Sequence, residues 1–137
     1  MSRLLAVAHQ TSESPEFVEA VARTAMAGRE VHDVVLLIPA TPVRHIATWT
    51  EGEAEVVAKE RAERAAERLR GEGVSVVDVL IGDAHPYEAV IDALVGNEFA
   101  AVIIATFPPG VSRWLGMNAI QRLQRTINVP VVHVVAK

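Results

Sequence analysis

The sequence contains no cysteine. Disulfides, thiolate metal sites and cysteine nucleophiles are therefore excluded. Aromatic residues are scarce, at 4%, so Val, Ile, Leu and Ala must fill the interior. There is no basic excess. The formal net charge is -4, and no cationic stripe is available to neutralise a nucleic-acid backbone, so no nucleic-acid partner is expected. No apolar run approaches the ~20 residues of a membrane span, which argues against membrane insertion. The opening "MSRLLAVAHQ" is too short in apolar residues for a signal peptide, and a cytoplasmic location is expected. H-E-x-x-H, a G-x-S-x-G elbow and a mechanistic carboxylate pair are also missing. A binding or regulatory role is thus favoured over an enzymatic one.

What is present is an ordinary globular mix: half of the 137 residues are hydrophobic and 22% are charged. That length fits one α/β domain over residues 1–137, with a real core. Short apolar runs alternate with helical patterns. The runs are "RLLAVA" (3–8), "VHDVVLLIP" (31–39), "VSVVDVLI" (74–81), "AAVIIA" (100–105) and "VVHVVA" (131–136).

Between the first two runs, Ser14 is placed to cap a helix and Pro15 to begin it, where its missing N–H does no harm. Phe17, Val18, Val21, Ala22 and Ala25 form its apolar stripe, and Gly28 can stop it. The second helix follows Thr50, which with Glu53 fits a capping box. Its expected apolar side is Val56, Val57, Ala62, Ala65, Ala66 and Leu69. Glu55–Lys59 and Glu60–Arg64 are spaced to pair on its wet face, and Gly71 ends it. A third helix starts near Pro86, carries Val90, Ile91 and Leu94, and ends at Gly96. A fourth covers roughly 118–126.

This β-α-β-α alternation predicts a doubly wound parallel sheet with helices on both faces. Strands buried on both faces read as continuous apolar runs. The first and fourth do so. The third carries Asp78, and the fifth carries His133 and begins at Pro130, as edge strands can. The predicted order is 3-2-1-4-5. The winding reverses between strands 1 and 4, and ligands of open α/β sheets bind beyond the carboxyl ends of the strands at that point.

The crevice so placed is bordered by three connections: "HQTSES" after strand 1, "PATPVRHIATW" after strand 2 and "TFPPGVSRWLGMN" after strand 4. The candidate ligand-contacting residues are His9, Gln10, Thr11, Pro39, Thr106, Gly110, Ser112, Arg113 and Asn118. Walker and dinucleotide glycine patterns are absent, and Pro108 and Pro109 remove two backbone donors where an anion would want them. Ser112, Arg113, Asn118 and the first-turn amides of the last helix can still hold an anion. The same Arg113 and Ser112 can equally serve as a solvated charge and a helix cap. Trp114, Leu115 and Met117 can stack on a base or simply cover the sheet's end. His32 and His133 lie within strands, without metal-ligand partners at useful spacing.

The layout, the stretch "IGDAHPYEAVIDALVGNEFAAVIIAT" and the ending "NVPVVHVVAK" resemble the universal stress protein family over nearly the whole chain. The resemblance implies the same 3-2-1-4-5 sheet, a stress-response role and a homodimer through the last strand, here Val131 to Ala136. It also implies a comparison at the ATP site, where binding members carry G-x₂-G-x₉-G-[ST] after strand 4. This chain has Thr106 and Pro109 at the first two glycines, with Gly110 just beyond. Met117 and Asn118 stand at the final pair, with Gly116 one place early. His9 stands where those members carry an aspartate. The implied function is a small-ligand or partner-binding regulatory module whose usual ATP cradle is degraded. An adenine nucleotide or another anion remains the candidate cofactor. The alternative is an adenine-nucleotide-binding protein or a nucleotide-handling hydrolase or transferase, although the H-x-G-H and S-G-G-x-[DS] patterns of such enzymes do not occur.

Overall fold

A computed structural model of the chain describes residues 3–8, 12–26, 32–39, 51–82, 86–106 and 117–135; the side chains of 51–55, 86 and 117–119 lie outside that description. The elements in chain order are β1 (Arg3–Val7), α1 (Pro15–Ala25), β2 (Asp33–Pro39), α2 (Glu51–Gly71), β3 (Val76–Gly82), α3 (Pro86–Leu94), β4 (Ala101–Thr106), α4 (Met117–Thr126) and β5 (Val131–Val135). They form a five-stranded sheet in the order β3-β2-β1-β4-β5. Every pairing is parallel. The predicted order is the observed one.

The reason is visible in burial. β1 is buried from Leu4 to Val7 and β4 along its whole length, while β3 and β5 are mostly exposed or half-buried. Alternation of side chains then divides the core into two layers. Leu4, Ala6, Val34, Leu36, Ile38 and Ile103 face α1 and α2. Leu5, Val7, Val35, Leu37, Val102 and Ile104 face α3 and α4.

The helices follow their sequence signals with two departures. Ser14 caps α1 as expected, its Oγ accepting from the Phe17 N–H at 3.2 Å. α2 buries Ala58, Ala62, Ala65, Ala66 and Leu69, whereas Val56 is 57% exposed. The seam at 58, 62, 65, 66 and 69 follows the helical period, and Val56 falls off it. Small alanines let this long helix lie close to the sheet. The second departure is at the wet face. Arg64 does not pair with Glu60; its Nε donates to Glu13 of the β1–α1 connection at 3.1 Å.

α2 ends at Gly71 as expected, but the turn itself is made by Gly73, whose φ is +87°. Gly73 N–H donates to Arg70 C=O and Val74 N–H to Leu69 C=O. That is a Schellman motif with glycine in the left-handed position. Gly96 after α3 also takes a positive φ, +73°, but there Asn97 N–H donates to Leu94 C=O in a tighter turn. The expected Gly28 stop and the Thr50 cap lie outside the described residues. Among the described residues no helix is long and apolar enough to cross a membrane.

Candidate functional site

The geometry that matters is at the carboxyl end of β1. Its last strand residue, Val7, aligns with Leu37 of β2 and Ile104 of β4. β2 and β4 both run on, to Pro39 and Thr106. Each overshoots Val7 by two residues, but the buried Ala8 still donates to Leu37 C=O, so the walls pass the paired end of the strand by about one residue, roughly 3.3 Å of extended chain. The exit of β1 thus lies between two walls, Ile38–Pro39 on one side and Ala105–Thr106 on the other.

Pro39 and Thr106, both singled out from sequence, are therefore the final residues of those two walls. Both are buried. Asn118 is the second residue of α4, the helix that follows β4. His9, Gln10, Thr11, Gly110, Ser112 and Arg113 lie outside the described residues.

The polar chemistry near these walls comes from residues that sequence reasoning did not pair. Thr106 is only 4% exposed. A buried hydroxyl needs a partner, and it has one: Oγ1 lies 2.7 Å from Nε2 of His133 on β5. Burial pushes the His133 imidazole below its ordinary value, because the charged form loses solvation. The pair was findable in principle. Both residues belong to strands predicted to be adjacent, and they fall on the same side of the sheet; the missing information was the register, Ile104 opposite His133. No cluster of metal-ligating side chains occurs among the described residues.

A second polar group lies in the β1–α1 connection. Ser12 is 2% exposed. Its neighbour Glu13 holds Arg64 of α2. Arg61, one turn earlier on α2, has its guanidinium pKa lowered by desolvation and by the nearby Arg64 charge, with Glu13 opposing. This corner ties α2 to the start of α1 and brings two cationic side chains and one carboxylate close together.

No protein-family model matches the chain, and no curated protein sequence matches it. Solved structures do. The universal stress protein from Archaeoglobus fulgidus aligns with TM-score 0.66 at 14% identity, over 98% of this chain and 93% of that one. The same organism's protein in complex with dAMP aligns with TM-score 0.66 at 16% identity, over 98% and 97%. A universal stress protein in complex with cAMP aligns with TM-score 0.60 at 14% identity, over the full length of both chains. These alignments run over nearly the whole of each chain, and the chain has the α/β fold of the universal stress proteins.

Proposed function

We propose that the protein is a universal-stress-protein-like regulatory module, cytoplasmic and acting in stress response, that takes a small anionic ligand in the notch beyond β1. The observation that carries this reading is the overshoot of β2 and β4 past Val7, which leaves the switch point of the sheet walled on both sides. An adenine nucleotide is the first ligand class to test, since two solved neighbours hold dAMP and cAMP. The ligand's contacts come from His9, Gln10 and Thr11, from Pro39 and Thr106 at the walls, and from Gly110, Ser112, Arg113 and Asn118. The family's usual glycine cradle is not among them, so the phosphate is held by side chains and helix-end amides rather than by a glycine loop.

The module works as a homodimer through its last strand. β5 is an edge strand with no charged residue between Val131 and Val135, and Val132 and Val135 are 38% and 43% exposed. Bare edges of this kind are normally covered or paired.

Thermal-shift and calorimetric titration with ATP, ADP, AMP, cAMP and inorganic phosphate tests the ligand. Saturable binding that is lost in Arg113→Ala supports the notch. No response to any of them turns the reading towards a protein partner. Turnover of a bound nucleotide would instead support a hydrolase or transferase.

A further inference from the structure

β5 runs from Val131 to Val135, so His133 is its middle residue. That position has a consequence when the strand meets its own copy. Two identical strands paired antiparallel along their full length, about a two-fold axis, set the middle residue opposite itself. Residues directly opposite on one face have Cβ atoms about 4.5–5.5 Å apart. The two His133 side chains then lie together on the same face of the joined sheet.

The surroundings offer little to hold a positive charge there. Val131 packs in the layer with α3 and α4, and alternation puts His133 on that same face. The charged residues of α4 are Arg122, stacked 4.2 Å from the Tyr87 ring centroid, and Arg125, both cationic. β4 carries no ionisable side chain. The carboxylates of α1, Glu16 and Glu19, belong to the helix on the opposite face, where Glu19 pairs with Arg23 at 2.9 Å. The Thr106 hydroxyl serves either form of the ring: it donates to a bare Nε2 or accepts from an Nε2–H. Protonation therefore leaves that bond in place and changes only the charge.

We propose that His133 makes the β5–β5 dimer acid-sensitive: neutral imidazoles permit pairing, and protonated ones drive the copies apart. This rests on the dimer proposed above. The sign follows from linkage. The paired state disfavours the imidazolium more than the free edge does, so dissociation takes up protons and acid favours the monomer. Burial within one protomer lowers the ring's pKa in both states, so it moves the response to more acidic pH without favouring either state.

Sedimentation velocity at micromolar protein tests it at about pH 8 and about pH 5, either side of the ordinary histidine range. Circular dichroism confirms that the chain is folded at both. A dimer at the higher pH whose dissociation constant rises by about tenfold or more at the lower pH is expected. In His133→Gln that difference should vanish, because the amide keeps a partner for Thr106 but cannot charge. A monomer at the higher pH sinks the dimer itself. A dimer at both, an acid response that survives in His133→Gln, or unfolding in place of dissociation, sinks the histidine switch alone.

Discussion

The two edges of the sheet are treated in opposite ways. At β3 the exposed backbone is occupied by the chain's own side chains. Ser75 C=O accepts from Val34 N–H across the sheet, so the next carbonyl, that of Val76, turns outward. Arg70 reaches down from α2 and donates to it at 3.0 Å. The Val79 N–H is held by the Asp78 carboxylate at 2.9 Å. Beside the strand, α2 lines a groove of about 420 Å³ with Lys59, Glu63, Glu67 and Arg70 above a floor of Ala62, Ala66, Val79 and Ile81. At β5 the strand "VVHVV" brings no charge. Charged side chains and occupied backbone groups are how natural sheets discourage edge pairing. Among the described residues, two outward backbone groups of β3 are occupied by the chain's own side chains, and no such contact is made on β5.

The sharpest way to stress this contrast is at Gly82, the last residue of β3. A Cβ there would sit 2.7 Å from the Ala89 Cβ of α3 and 2.9 Å from Leu37 Cδ1. Both neighbours are fixed, one by its helix and one by the core. Gly82→Val should therefore lose about 1–3 kcal/mol by overpacking, read as a lower urea midpoint. Self-association through β5, measured under folding conditions, should be unchanged. A parallel loss of dimer affinity would mean that the two edges are not independent.

This asymmetry was partly legible in the sequence. Asp78 marked the third run as an edge, and its carboxylate turns out to occupy an edge amide. Pro130 and His133 marked the fifth. The apolar runs at 3–8 and 100–105 located the centre, because only fully covered strands tolerate apolar side chains on both faces. What stayed hidden depends on distance through space. Arg64 sits four residues from Glu60, yet it bonds to Glu13, 51 positions away in sequence. Exposed helical pairs are worth only about 0.3–0.5 kcal/mol, too little to hold an arginine against another partner. Arg70 and Val76 are near in sequence, but their contact exists only because the Schellman turn folds β3 back beneath α2. Thr106 and His133 are joined by a register that the hydrophobic pattern does not encode. Of the candidate contacts, Pro39 closes the second run and Thr106 follows the fourth, and in the structure each is the last residue of its strand.

A smaller and more selective perturbation is a charge on the open edge. Val134 packs partly into the α1 layer, so charging it would confuse folding with pairing. Val132 is more exposed and gives a cleaner answer. Val132→Lys should raise the dimer dissociation constant by about tenfold or more while changing stability by less than about 0.5 kcal/mol. The matched control is Val77→Lys on β3, also an exposed position, where association should not change. If the β3 substitution separates the copies and the β5 substitution does not, the roles of the edges are reversed.

The weakest effect tests whether occupied backbone groups are what close β3. Arg70→Ala together with Asp78→Ala frees the Val76 carbonyl and the Val79 amide. Both groups can then turn to water, so the stability loss should be about 1 kcal/mol or less. The informative reading is association, made in a Val132→Lys background so that β5 is silent. Freed of its own side chains, β3 presents Val77 and Ile81 beside an unblocked donor and acceptor, which is a template for another strand. A new concentration-dependent species by light scattering is the expected result. If the triple variant stays monomeric instead, the hydrogen bonds of Arg70 and Asp78 are incidental. The charged rim of α2 would then be the barrier, since an incoming strand would have to desolvate Lys59, Glu63 and Glu67 to reach the groove beneath it.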